Sequence, residues 1–248
     1  AAEAVMRATD GHTFLMTSPS ALTINQHVYK KVPYDTLKDF VPVTQTTSIA
    51  FLLVVPAQAP YKTAADLVAA AKAKPGAIKF ASAGIGNQSQ LAAELLAGAA
   101  GVNMLHVPYN GMAPALNDLL GGQVIGFFAD VPAVMAQIKG GKLRALGMAS
   151  KTRHPLLQDV KTFEEQGFKS VDTNNWYGFF VSSKTSPDMI KTLNRAIQQA
   201  VADPAANAKL TQSGAEPKTT TPEELGAILA ADTDKWARLI KARNITAD

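Results

Sequence analysis

The chain contains no cysteine, which removes disulfide scaffolds, thiolate zinc sites and a cysteine nucleophile together. That absence assigns no compartment, because a cysteine-free protein tolerates oxidising and reducing surroundings alike. Long hydrophobic runs are missing too. The longest, Ile49–Ala57, falls well short of the about 20 residues a spanning helix needs. Charge is nearly balanced, 24 Lys and Arg against 20 Asp and Glu. No basic stretch carries interleaved aromatics, so no nucleic-acid stripe is expected, although the net +4 favours small anions. Nothing with the pattern of a signal peptide opens the chain. Residues 1–11 read instead as the back half of an amphipathic helix closed by Gly11, as though the chain were entered in its middle. What is present is core material: 248 residues, 47% hydrophobic, enough for one large domain or two small ones and too much for disorder.

From His12 onward, short β-rich runs alternate with longer helical ones. Thr13–Thr17 predicts a strand, and Thr44–Val55 one long strand or two. A helix over Ala64–Lys74 is stopped by Pro75-Gly76. Strands then follow at Ile78–Ala81, Met104–Val107, Val124–Phe128 and Leu143–Ala149, with helices between them at Ser89–Ala100, Ala113–Leu120 and Ala133–Lys139. Strand starts spaced by about 20–26 residues, with glycines ending each helix, imply a parallel sheet covered on both faces. Beyond Ser150 the chain predicts a short helix at Val160–Gln166, a buried strand at Trp176–Ser182 and helices at Pro187–Ala202 and Asn207–Ser213. A last helix opens on a Thr221…Glu224 capping box and runs through Ile240. Its Trp236, spaced with Leu229, Leu239 and Ile240, reads as core. Two α/β lobes suit this pattern better than one continuous sheet.

The catalytic inventory is poor. His12, His27, His106 and His154 are scattered, with no metal-ligand spacing. Glu164-Glu165 and Glu223-Glu224 are neighbours whose side chains diverge on a helix. There is no Gly-x-Ser-x-Gly elbow. Gly84-Ile85-Gly86 could begin a dinucleotide fingerprint, but Ser89 stands where the third glycine belongs. Neither a metal nor a cofactor is expected.

What recurs is a strand leading through a small polar loop into a helix. Ser82-Ala-Gly84-Ile-Gly86-Asn87-Gln88-Ser89 is the richest of these loops. Its glycines admit close approach to backbone N–H groups, Ser82, Asn87, Gln88 and Ser89 add short polar groups, and the helix dipole favours negative charge. Tyr109-Asn110-Gly111 repeats the arrangement one strand later, Asp130 follows the next strand, and Ser18 and Ser20 follow the first. Each loop alone reads equally as helix capping. Four together, gathered at the carboxyl ends of strands, point to binding an anion without chemistry. Asp130 departs from the donor pattern, either as a cap or as a selector of a ligand amine or hydroxyl. Asn174-Asn175-Trp176-Tyr177 suits a crossover that walls a pocket, or a core aromatic pair.

Several spaced motifs carry a resemblance from end to end: Val32–Phe40, Phe80–Gly84, His106–Gly111, Pro114–Gln123, Gly141–Leu146, Trp176–Gly178 and Gly214–Pro217. The chain resembles the Bug family, periplasmic substrate-binding proteins of tripartite tricarboxylate transporters. The resemblance implies an α/β, two-lobed type II periplasmic-binding-protein fold, each lobe a mostly parallel sheet flanked by helices. Lobe 1 would comprise 1–57 and 178–248, and lobe 2 would comprise 58–177. It implies no enzyme and no cofactor. It implies a solute-binding protein that captures a small mono- or dicarboxylate, amino acid or aromatic acid in the inter-lobe cleft. The ligand would pass to the membrane components of the transporter, placing the protein in the periplasm.

In the family, one ligand carboxylate is held by backbone groups and waters from two loops, of which the second matches Ser82–Ser89. Tyr109, Asn110 and Asp130 match the ligand-selecting end, Trp176-Tyr177 the crossover strand, and Ser18 and Ser20 a pocket-lining loop of the other lobe. Family members begin with a strand, helix and strand that this chain lacks, and with them the first carboxylate loop. That departure implies an exposed sheet edge. It leaves a second reading open, a shortened relative that no longer binds ligand and acts through protein contacts, for instance as a homodimer covering the incomplete lobe.

Overall fold

A computed structural model describes residues 1–173 and 175–247. In chain order the elements are α1 (Ala2–Arg7), β1 (Phe14–Thr17), a π-helical turn (Ser20–Ile24), α2 (Asn25–Val28), α3 (Thr36–Asp39), β2 (Phe40–Ile49) and β3 (Phe51–Pro56). Then come α4 (Ala64–Ala73), β4 (Lys79–Ser82), α5 (Gln88–Ala100), β5 (Leu105–Pro108), α6 (Met112–Leu120), β6 (Gly126–Asp130), α7 (Val131–Lys139) and β7 (Leu143–Met148). The chain ends with β8 (Asn175–Ser182), α8 (Pro187–Ala202), α9 (Pro204–Ser213), β9 (Glu216–Pro217) and α10 (Pro222–Arg243). No helix among the described residues is long and apolar enough to cross a membrane.

Two compact units form, Ala1–Ser48 with Asn175–Asp248, and Ile49–Asn174. The expected boundaries at 57/58 and 177/178 put β3 in the first lobe and Trp176-Tyr177 in the second. The hydrogen-bond ladders decide otherwise. β3 pairs with β6 and β7 of the second unit, and β8, which carries Trp176, pairs with β1 of the first.

The second unit is a five-stranded sheet in the order β5-β4-β6-β3-β7. Strands β4, β5 and β6 are parallel, while β3 runs antiparallel to both its neighbours. With β7 therefore running parallel to β6, four of the five strands share one direction, as a mostly parallel sheet requires, and β3 is the exception. Every residue of β3 is buried, so its composition suits a two-faced core strand in either direction. Its side chains alternate. Phe51, Leu53 and Val55 join the core beneath α4 and α5, whereas Leu52 and Val54 join the core beneath α6 and α7. On β6, Phe128 belongs to the first of these cores and Phe127 and Ala129 to the second. The left-handed residue at Gly101 closes α5 as the glycine pattern predicts.

The predicted helix at Val160–Gln166 is instead a single turn. Thr162 and Glu165 exchange side-chain-to-backbone hydrogen bonds of 2.7 and 3.1 Å, and Gly167 at φ +86° ends the turn at once.

The first unit carries the sheet β1-β8-β2-β9, whose described ladders β1·β8 and β2·β9 are antiparallel. Two of its four strands therefore run against the other two, where a mostly parallel sheet was expected. Its core joins Val5, Leu15, Leu22, Phe40, Trp176 and Phe180, with Leu225 and Leu229 from α10. Trp236 is buried on the same helix, as its spacing predicts. β1 is an edge strand, and Phe14 and Met16 on it are half exposed. Beside it, Phe179, Ile197, Val201 and Leu210 line an apolar hollow of about 410 Å³, and none of the residues of α8 is buried.

Candidate functional site

Because β4, β5 and β6 are parallel, their carboxyl ends lie at one edge of the second sheet. Ser82 is level with Pro108, and Ala81 is level with Phe127. Three of the predicted loops thus meet: 83–87 after β4, 109–111 after β5, and Asp130 at the end of β6. The first two are tied directly. The Tyr109 and Gly111 amides donate to the carbonyls of Ser82 and Ala83 at 3.0 and 3.2 Å. Ser18, Ser20, Trp176 and Tyr177 belong to the first unit. Asn174, grouped with Trp176 and Tyr177 in the sequence, lies outside the described residues.

The β4–α5 loop consumes most of its own polar groups. Asn87 caps α5, its Oδ1 accepting from the Ser89 N–H at 3.0 Å and from the Ser89 hydroxyl at 2.9 Å. Ser89 Oγ in turn accepts from the Ala83 N–H, and Gln90 Oε1 accepts from the Gly86 N–H at 2.8 Å. Ser82 Oγ accepts from the Gly84 N–H and donates to the Gly84 carbonyl, at 3.2 and 3.0 Å. The Asn87 N–H reaches the same carbonyl at 3.2 Å. Gln88, buried, donates to the Thr173 carbonyl. Ser82, Gln88 and Ser89 are all buried, and the hydroxyls of Ser82 and Ser89 bond within the loop.

Within 83–87, Ile85 has the one N–H that meets no acceptor among the described residues. Its direction follows from the peptide plane. No described peptide bond is cis, so the Ile85 N–H points opposite to the Gly84 carbonyl. That carbonyl faces Ser82 and Asn87 inside the loop, which turns the Ile85 N–H outward. Gly84 at φ +140° and Gly86 at φ +71° supply the backbone shape.

The neighbouring loop is engaged differently. The Tyr109 hydroxyl donates to Asp118 of α6 at 2.7 Å, and desolvation with that carboxylate beside it pushes the phenol up to about 12. Asn110 is exposed, and Asp130 stands at the N-cap of α7 without a side-chain capping bond. Trp176 is a core residue, packed on Phe180 and donating its indole N–H to Asp232 at 2.8 Å. Tyr177 is partly exposed, and its carbonyl accepts from the Thr46 hydroxyl. Among the described residues no three His, Asp or Glu side chains converge as a metal site would require.

Tyr109→Phe should cost about 1–2 kcal/mol by stranding the Asp118 acceptor. Because the hydroxyl serves Asp118, carboxylate affinity should stay within about twofold, a split that paired denaturation and titration calorimetry would read.

Sequence reasoning passed over His106. In the parallel register His106 is level with Phe80, so it shares a sheet face with Phe80 and Ser82. Its ring stacks on Phe80 at 5.1 Å, and its Nε2 lies 2.6 Å from Ser82 Oγ. The signal was present in the paired strings Phe80-Ala-Ser82 and His106-Val-Pro108. Burial pushes the imidazole down to about 4. The unfolded chain therefore binds the extra proton first, and stability should be full above about pH 6.5 and decline towards pH 4. With partial solvent access the His106 share is about 1–2 kcal/mol. His106→Gln should flatten that part of a pH–stability profile and leave the share of His27, also lowered by burial.

Polar loops at the carboxyl edge of an open α/β sheet are where such folds bind small ligands. The chain belongs to the tripartite tricarboxylate transporter family receptors, whose family model matches residues 1–245. It is 36% identical over 241 residues to the UPF0065 protein in the tcbD-tcbE intergenic region of Pseudomonas sp. (strain P51), covering 97% of this chain and 71% of that one. Among solved structures it resembles R. palustris Rpa4515 with adipate, at TM-score 0.91 and 28% identity, over 99% of this chain and 82% of that one. It also resembles the periplasmic binding protein BugD, at TM-score 0.87 and 31% identity, over 98% and 82% respectively. The Bug resemblance and the type II fold read from the sequence stand. The family is one of substrate receptors, not enzymes.

Proposed function

We propose that this chain captures a small carboxylate in the periplasm and delivers it to the membrane components of a tripartite transporter. One ligand carboxylate oxygen accepts from the Ile85 N–H, at the positive end of α5. The observation that carries this reading is the outward Ile85 amide, held by a loop whose other amides from 83 to 87 are spent on the loop itself. Family membership and the adipate-bound neighbour support a carboxylate as the solute. Asn110 and Asp130, on the adjoining loops, meet the far end of the ligand, Asp130 favouring one with a hydroxyl or amine there.

A thermal-shift series with succinate, malate, adipate, glutamate and benzoate tests it. At 100 times its dissociation constant a true ligand adds about 2.7 kcal/mol, or about 5 °C or more for a chain of this size. No shift with any of them contradicts the proposal.

One observation favours the second reading, in which the chain acts through protein contacts. Phe14 and Met16 are exposed on the edge strand β1 beside the apolar hollow, a face that a second copy would cover. A monodisperse monomer that binds a carboxylate removes that reading.

A further inference from the structure

The Ser82 hydroxyl sits at the foot of the β4–α5 loop with three polar neighbours and one proton. It lies 2.6 Å from His106 Nε2, 3.2 Å from the Gly84 nitrogen and 3.0 Å from the Gly84 carbonyl oxygen. The Gly84 nitrogen can only donate to it, and the Gly84 carbonyl can only accept from it. Placing the single hydroxyl proton on the carbonyl uses every one of these contacts. The remaining lone pair then receives a proton from His106, whose hydrogen sits on Nε2. The opposite tautomer would draw the Ser82 proton to the imidazole and leave the Gly84 carbonyl to the Asn87 N–H alone. Ser82 is fully buried, so no solvent donor reaches the lone pair that the imidazole then leaves empty.

The consequence reaches the surface. The Gly84 carbonyl and the Ile85 N–H belong to one rigid peptide plane. Ser82 and the Asn87 N–H fix the carbonyl end, which sets the aim of the N–H end. The geometry points to His106 as a positioning residue of the binding loop: through Ser82 it locks the Gly84–Ile85 peptide with the Ile85 amide turned outward. The ring stacked on Phe80 keeps Nε2 in place but takes no part in the donor role. This inference rests on the reading of the loop as a carboxylate site, and part of its test is independent of any ligand.

Two variants separate the donor from the ring. His106→Phe keeps a flat ring against Phe80 and removes the donor. His106→Gln loses the ring but places an amide N–H where Nε2 stood. In calorimetric titrations with adipate, malate and succinate, His106→Phe should weaken binding about tenfold and His106→Gln by less than about threefold. A purely structural role for the ring predicts the reverse order. In the ligand-free wild type, long-range proton–nitrogen spectra should show His106 protonated on Nε2 alone at neutral pH. Hydrogen exchange at Gly84 should quicken in His106→Phe and not in His106→Gln.

Protonation on Nδ1, or unchanged Gly84 exchange and affinity in His106→Phe, overturns the inference. Should His106→Phe fail to fold, the wild-type tautomer and the His106→Gln titration still decide it. If the wild type binds none of these carboxylates, the function proposed above fails while the tautomer and exchange results stand or fall by themselves.

Discussion

Replacing Trp176 by alanine should cost the first unit about 3–5 kcal/mol. The indole is 4% exposed, packs on Phe180 at 5.9 Å and shares its core with Leu15, Phe40 and Leu225. Truncation opens a cavity in that cluster and also strips Asp232 of the indole N–H it accepts at 2.8 Å. Trp176→Phe should recover most of the packing and leave the Asp232 loss, about 1–2 kcal/mol. Chemical denaturation of the three proteins would give the ladder. A small loss in Trp176→Ala together with a large drop in carboxylate affinity would restore Trp176 as a pocket wall.

Gly84→Val should abolish most carboxylate binding, weakening it by about 10- to 100-fold. The cause is backbone shape rather than collision. At φ +140° a branched side chain is strained by about 1–3 kcal/mol, whereas a Cβ there would stand 3.6 Å from the Tyr109 carbonyl, an ordinary contact. Relief of that strain rotates the Gly84–Ile85 peptide and re-aims its N–H. Gly98→Ala is the control. Gly98 is exposed within α5, has an ordinary φ, and meets nothing within 4 Å, so the change should stabilise by about 0.5–1 kcal/mol and leave affinity alone. Titration calorimetry on both variants separates the loop's shape from general loss of fold.

Much of the second unit was legible because its signals are local. Glycine stops, alternating apolar strands and helix caps lie within a few residues of the elements they define, and β4 to β7 fall within two residues of their expected starts. Strand direction was not legible. β3 is apolar on both faces, and only pairing with β6 and β7 reveals that it runs against them. In the first unit, the run 20–28 carries no predicted element. It folds as a π-helical turn followed by α2, with Thr23 bonding back to the Pro19 carbonyl.

At the candidate site, the loops were legible and their surviving donors were not. Ser82, Asn87, Ser89 and Gln90 each have side chains able to serve a ligand or the loop's own backbone, and composition does not say which. The packed geometry turns all four onto the loop, leaving the amide of a residue, Ile85, whose side chain drew no notice. His106 escaped for a related reason, since its partner lies 24 residues away and only the parallel register brings them together.

Selective isoleucine nitrogen-15 labelling follows the Ile85 amide directly during titration with adipate, malate and succinate. A saturable downfield shift of the Ile85 N–H, tracking the affinity found by calorimetry and larger than that of any other isoleucine, is the predicted result. Saturable binding that leaves the Ile85 resonance unmoved would place the carboxylate elsewhere and contradict the account.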